Sequence, residues 1–415
     1  MTYSEALAWL YSTQHHGIKL GLDNIRSLLK ELGVQGANLR IIHVAGTNGK
    51  GSVCAMLDSI CRAHGYCTGL YTSPHLVDFR ERIRVNGQMI SEESAAAGLT
   101  RIRQIAAGWE HSPTFFEIVT ALALAYFEGR VGGSHPRVEV VILETGLGGR
   151  LDATNAVTPS AVVLTPIDFD HQAYLGDTLA SIAGEKAGII KPGVPVASAS
   201  QPEEAATVLR DAAGNQNAPI EFLENPLEGF EIGLIGAHQL ANAALAVKAL
   251  ELARIEVSPE SIRSGLRRVQ WPGRFQRIPA REGRDIILDG AHNQAGAKQL
   301  AKTWLDVFGT RKATVILGIL RDKDTDAICR ALAPISERLI ATSVRSERTC
   351  SPEEVRAAFE SAAAGISVPI ETATDLPSAL AAAETSPRVL VTGSLFLVGE
   401  ALAFFEGNQT RPSLQ

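Results

Sequence analysis

Short apolar runs alternate along this chain with stretches whose apolar positions recur at helical spacing, and that alternation sets the first expectations. "RIIHVAG" and "CTGLYT" read as strands, with a helix from about 50 to 64 between them. "RVEVVILE" (137–144), "SAVVLTPI" (160–167) and "VPVASAS" (194–200) are β-branched runs bounded by Gly, Pro or Asp. Helices are expected over 92–108, 115–129 and 177–190. A Pro–Gly break in "WPGRF", near residue 271, precedes a fresh series. There "DIILDGA" (285–291), "ATVILGI" (313–319), "RLIATS" (338–343) and "RVLVTGS" (388–394) read as strands. Their helices are expected over 294–309, 352–364, 376–385 and 396–406. Such alternation is the mark of parallel α/β architecture. The break divides the chain into residues 1–275 and a smaller, Rossmann-like 276–415.

Composition narrows the class. A chain of 415 residues exceeds one ordinary core, in keeping with two domains. A hydrophobic content of 45% with 20% charged residues fits a globular protein. The formal charge of -6 gives no electrostatic reason for nucleic acid or an anionic membrane as partner. Five cysteines, at 54, 61, 67, 329 and 350, form no C-x-x-C pair. That argues against a disulfide framework or a zinc site and suits a reducing compartment. "MTYSEALAWLYSTQ" lacks the basic start and apolar core of a signal peptide, and "IVTALALAYF" is too short to cross a bilayer. A cytoplasmic protein is expected.

The chemistry centres on "HVAGTNGKGS", residues 43–52. Glycines at 46, 49 and 51 let backbone N–H groups turn toward an anion, and the following helix adds partial positive charge. Lys50 would neutralise phosphate oxygens. An ordinary phosphate loop places its Mg²⁺-binding hydroxyl directly after the lysine. Here Gly51 holds that slot and Ser52 comes one residue late. Glu144 ends a buried run as a metal-binding acid would, ahead of the glycine-dense "TGLGGRLDATN". Asp168, Asp170 and His171 follow the next strand, and Ser73 follows "CTGLYT". Lys186 and Lys191 lie near a helix end, and Asp289, His292 and Asn293 cluster after a strand of the second half. Each has a plain alternative: a glycine turn, a solvated strand end, a Ser–Pro turn, helix-dipole placement or a helix cap. "GLGG" opens no helix as a dinucleotide fingerprint does, and no Gly-x-Ser-x-Gly elbow or H-E-x-x-H helix occurs.

Taken in order, "GIKLGLDNI", "HVAGTNGKGS", "TSPHL", "FRERIRVNG", "TFFE", "LETGLGGRLDATN", "DFDH", "GEKAGIIKPG", "WPGRFQ", "LDGAHN" and "TGSLFLVGE" resemble the folylpolyglutamate synthase / dihydrofolate synthase family of the Mur ligase superfamily. The resemblance covers nearly the whole chain. It implies a phosphate-loop-containing, Mur-ligase-like domain followed by the smaller Rossmann-like one. It also implies ATP-dependent joining of L-glutamate to a folate carboxylate through an acyl phosphate, with dihydropteroate as a second acceptor in bifunctional members. By motif position, Thr47, Asn48, Gly49, Lys50, Gly51 and Ser52 would hold the ATP phosphates. Ser73, Glu144 and His171 would hold one or two Mg²⁺ ions, and Lys186 matches a lysine that the family carbamylates. Lys50, Glu144, His171 and Lys186 form the implied catalytic set; Asn242, Arg274, Asp289 and His292 match ATP contacts. Leu20, Gly21, Leu22, Phe116 and Asp152 match the pterin pocket of bifunctional members, although Lys19 stands where some of those carry an aspartate. The resemblance implies small-molecule substrates and a monomer. Only 42 residues precede "HVAGTNGKGS", so the sugar-nucleotide domain of the peptidoglycan Mur ligases is not expected. A nucleotide switch without ligase chemistry would leave "GRLDATN" and "GEKAGII" unexplained.

Overall fold

The computed structural model describes all residues except 17–20, 37–38, 134, 280–282, 364–367 and 408–415. Leu20 and Lys19 therefore lie outside the described residues. Two sheets organise the rest. The first uses β1 (Arg40–Ala45), β2 (Thr68–Tyr71), β3 (Ile83–Val85), β4 (Gln88–Met89), β5 (Val140–Glu144), β6 (Ala161–Leu164), β7 (Val196–Ala199) and β8 (Ile220–Leu223). Their order is β4-β3-β2-β5-β1-β6-β7-β8, parallel from β2 to β8, with β3 and β4 antiparallel at one edge. The second uses β9 (Gln276–Ile278), β10 (Asp285–Leu288), β11 (Ala313–Leu317), β12 (Ser336–Thr342), β13 (Ile370–Ala373) and β14 (Arg388–Thr392). It runs β13-β12-β11-β14-β10-β9, with only β9 antiparallel.

The central strands have helices on both faces, which is why β5 reads as an apolar run up to Glu144 and β1 as one interrupted only by buried His43 after Arg40. The helix Lys50–His64 packs Val53, Met56, Leu57 and Ile60 into one core of the first sheet and stops at Gly65, whose left-handed φ of 105° an L side chain rarely adopts. The helix Phe115–Phe127 is apolar on nearly every side because it is buried there, starting at a Thr114–Glu117 capping box. Trp304, Phe308 and Phe275 anchor a core of the second sheet. The segment Trp271–Phe275 runs between the two, Trp271 packing on the first half and Phe275 on the second.

The strands and helices that the pattern named are present, with ends shifted by a few residues, but it left the helices over 203–215, 238–252, 259–268 and 325–332 unnamed. The pattern missed β3, β4, β8, β9 and β13. The β3–β4 hairpin had a signal: Asn86 and Gly87 take φ of 50° and 80°, the left-handed pair that an Asn-Gly turn supplies. In β8 and β13 no residue is fully buried, so no apolar run marks them.

Candidate active site

In open α/β sheets, ligands bind beyond the carboxyl ends of strands where neighbouring connections diverge. β1 sits between β5 and β6 in this way, and the loops after all three face the ends of β10 and β14 across one cleft of about 370 Å³. Thr47 to Ser52, Ser73, Glu144, His171 and Lys186 line it from the first half, with Asn242 from the helix His238–Leu252. Arg274, Asp289 and His292 line it from the other side.

The phosphate loop is shaped by close contacts. Gly49 has φ 91°, and a Cβ there would lie 2.8 Å from Asn242 Oδ1. Gly51 is needed for space instead: a Cβ on it would lie 2.7 Å from Trp271 Nε1. The indole thus fills the place where an ordinary loop carries its hydroxyl side chain. Thr47 is fixed by its amide to Pro166 O at 2.9 Å and its hydroxyl to Asp168 O at 3.0 Å. Ser52 is buried in the first turn of the helix.

Two lysines converge on one carbonyl. Lys50 Nζ donates to Gly46 O at 3.0 Å and Thr47 O at 3.1 Å, and Lys186 Nζ donates to Gly46 O at 3.0 Å. Burial, followed by the neighbouring Lys50 charge, lowers the Lys186 pKa to about 7. A sizeable share of this amine is therefore neutral, and so nucleophilic, near pH 7.

Glu144 is buried at the end of β5, and its Oε2 accepts the Ser73 N–H at 3.1 Å. Burial raises its pKa, against the pull of Lys50, Ser73 and Arg274. His171 lies at the mouth of the cleft with a left-handed φ of 52°. Partial desolvation lowers its imidazole pKa to about 4, Asp170 opposing, although 39% of the side chain is exposed; the neutral ring is the form a metal ligand needs. No group of three or more His, Cys, Asp or Glu side chains suited to a metal occurs among the described residues. A carboxylate, a hydroxyl and a neutral imidazole beside a phosphate loop fit an ion that takes its remaining ligands from phosphate and water, the usual habit of Mg²⁺.

Asp289 is half-buried, and its oxygens accept the Phe275 and Ala291 N–H groups at 2.8 and 2.9 Å. It thereby fixes the backbone next to Arg274. Two contacts were not foreseen. Asn48 and Asn293 exchange side-chain hydrogen bonds at 3.2 and 3.1 Å across the cleft. Lys323, from "RDKDTD" after β11, reaches Asp170 Oδ1 at 2.6 Å. Burial would raise the Asp170 pKa, but His292, His171 and Lys323 outweigh it and hold the carboxyl well below the usual range. A charge run on a loop gives no hint of a partner in the other half, so the sequence could not single out Lys323.

The described pterin candidates, Gly21, Leu22, Phe116 and Asp152, do not line this cleft. Phe116 and Asp152 stand directly behind its wall. The Phe116 ring occupies the space a Cβ on Gly146 would need, at 2.5 Å. Asp152 Oδ2 accepts the Gly146 and Leu147 N–H groups at 2.9 and 3.0 Å, and Oδ1 accepts the Thr154 N–H at 3.0 Å and its hydroxyl. The Thr154 hydroxyl also lies 2.7 Å from Nε2 of buried His43. Gly21 and Leu22 precede the helix Asp23–Leu32, with Leu22 packed against the first core.

Comparison with known proteins bears on this cleft. Residues 273–395 match the family described as Mur ligase, glutamate ligase domain. The chain is 35% identical to the dihydrofolate synthase/folylpolyglutamate synthase of Bacillus subtilis, the alignment covering 96% of this chain and 98% of that protein. Its fold is similar to the folylpolyglutamate synthase of Mycobacterium tuberculosis complexed with ADP: TM-score 0.88, 29% identity, 99% of this chain and 100% of that one covered. It is also similar to the bifunctional folylpolyglutamate synthase/dihydrofolate synthase of Yersinia pestis complexed with AMPPNP and Mn ion. That match has a TM-score of 0.83 and 31% identity, covering 97% of this chain and 98% of that one.

Proposed function

The chain belongs to the folylpolyglutamate synthase / dihydrofolate synthase family of Mur ligases, and from that premise we propose that it joins L-glutamate to folate-type carboxylates at the expense of ATP. One observation carries the reading: a single cleft gathers a phosphate loop, a buried carboxylate, a lowered-pKa lysine and an interdomain arginine. Residues 1–275 serve as the ATP-binding half and 276–415 as the ligase half.

A carboxylate is a poor acyl donor because oxide is a poor leaving group. Attack of its oxygen on the γ-phosphorus of ATP forms an acyl phosphate and releases ADP. The glutamate amine then attacks the acyl carbon, and phosphate departs as the amide forms. The chain must hold phosphoryl and carboxylate in line and offset the charge that gathers between them. The amides of 49–52 and Lys50 Nζ hold the phosphates, moving Lys50 off the Gly46 carbonyl, while the Thr47 and Asn48 amides stay on Pro166 O. Arg274 adds a fixed cation from the interdomain segment. Glu144, Ser73 and His171 hold the divalent ion, which when bound supplies positive charge at the transferring phosphoryl oxygens.

Neutral Lys186 Nζ is suited to attack CO₂: an N–C bond forms, one proton leaves to solvent, and the neutral amine becomes a carbamate anion attracted to Lys50. Dihydropteroate is accepted as well as folates, as the name of the Bacillus relative supports. Phe116 and Asp152 shape the adjoining wall for the pterin. The groups assigned to nucleotide and metal are complete within one chain, in keeping with a monomer. It works in the cytoplasm, where its five free thiols stay reduced. The test is ADP release by purified protein with ATP, Mg²⁺ and glutamate, offered dihydropteroate or tetrahydrofolate. Release requiring both glutamate and a pterin is expected. Release indifferent to both would overturn the ligase reading, and turnover of tetrahydrofolate alone would remove the dihydrofolate synthase activity.

A further inference from the structure

Asp170 leaves the first sheet just past β6, and Lys323 leaves the second just past β11. Their side chains meet at 2.6 Å and are 8% and 7% exposed. A buried ion pair adds little net stability, because desolvation cancels most of the attraction; its best-attested use is to fix one register over others. Here the register is that of the two halves. Other groups of the second half reach the same carboxylate. Asn293 Nδ2 donates to Asp170 Oδ2 at 3.0 Å, and His292 Nε2 lies 3.6 Å from it. On the first-half side, Asp170 Oδ1 accepts the backbone N–H of His171 at 2.9 Å. That residue has a left-handed φ of 52°, unfavourable for a side chain with a Cβ and kept only where surroundings enforce it. Asn293 in turn pairs with Asn48 of the phosphate loop.

We propose that Asp170 and Lys323 form a latch, with Lys323 a positioning residue for the reaction. Docking of the second half places the ammonium on Asp170, Asp170 fixes the His171 peptide, and His171 is thereby aimed into the cleft. The metal-binding side chains are then in place only when the half that bears Asp289 and His292 is docked. Phosphoryl transfer is held back while the cleft is open to water. The latch rests on the reading of His171 as a metal ligand only for its effect on the metal; the effect on the loop is independent of it.

Hydrogen exchange on the full chain, free of nucleotide and metal, reads the loop directly. In Lys323→Met, amides of residues 168–175 are expected to exchange at least about 10-fold faster, with helix Phe115–Phe127 unchanged and Lys323→Arg partly restored. Unchanged exchange at 168–175, or equal acceleration throughout the chain, would overturn the latch. A second readout is Mn²⁺ binding with a non-hydrolysable ATP analogue, followed by electron paramagnetic resonance. The apparent Kd should rise by about 10- to 100-fold in Lys323→Met, the usual cost of losing a group that orients a metal ligand. Faster exchange with wild-type Mn²⁺ affinity would remove the positioning role. A wild-type protein that binds no Mn²⁺ would contradict the metal reading instead, while exchange still decides the latch.

Discussion

Two glycine-dense loops leave neighbouring parallel strands, and they meet opposite fates. The loop after β1, Gly46–Ser52, lines the cleft as the opening of a long helix, with Lys50 resting on its own carbonyls. The loop after β5, 145–155, also lines the cleft at Gly146 to Gly148, but Asp152 occupies the Gly146 and Leu147 amides from behind. Glycine density alone thus does not make an anion site. What decides is whether the chain supplies its own anion. In the first loop Thr47 and Asn48 donate to Pro166 O, the amides of the helix's first turn have no partner within the helix and are left for a ligand, and the lysine is a reserve cation. In the second, a buried carboxylate plays the ligand's part and freezes the wall.

Three substitutions break or sharpen this contrast. The largest effect is expected at the loop meant for the ligand. Lys50→Ala should lower turnover by about 10²–10³-fold, the scale of losing one transition-state charge contact, with little change in unfolding midpoint. Steady-state rates beside thermal denaturation check this; a large drop in midpoint would instead make Lys50 structural. In the self-satisfied loop the order reverses. Asp152→Ala strands the Gly146, Leu147 and Thr154 N–H groups, at about 1–3 kcal/mol for each that stays buried, so the unfolding midpoint should fall clearly. An unchanged midpoint would mean that the 146–147 wall does not depend on its internal anion. The smallest effect is expected from Gly51→Ser, which places the usual hydroxyl directly after the lysine. Its side chain meets Trp271, and overpacking of this kind costs about 1–3 kcal/mol. ADP affinity, measured by calorimetry, should weaken and recover in the double variant with Trp271→Ala. Tighter binding in Gly51→Ser alone would show that the missing hydroxyl, not the indole, governs the loop.

How much of this was legible depended on distance along the chain. β1, the loop and the helix Lys50–His64 were legible because burial on both faces and a helix start write themselves locally. Glu144 was legible as the acidic end of an apolar run. The reason for Gly51 was not, because Trp271 reaches it only through the fold. Nor was the Asp170–Lys323 pair, whose members stand 153 residues apart in unremarkable loops. Asp152 was legible through resemblance to a substrate pocket, yet periodicity could not reveal that its oxygens are taken up by the chain's own donors. The edge strands β8 and β13 escaped because partial exposure leaves no apolar run to detect.

The central claim is that this cleft transfers a phosphoryl group to a substrate carboxylate before the amide forms. It is tested most directly with a pterin substrate carrying ¹⁸O in the reacting carboxylate, turned over with ATP and glutamate, the released phosphate being analysed by mass spectrometry. One ¹⁸O atom in each phosphate is the expected result, since the acyl oxygen that attacks the γ-phosphorus leaves with it. Phosphate free of ¹⁸O, formed while amide accumulates, would contradict it.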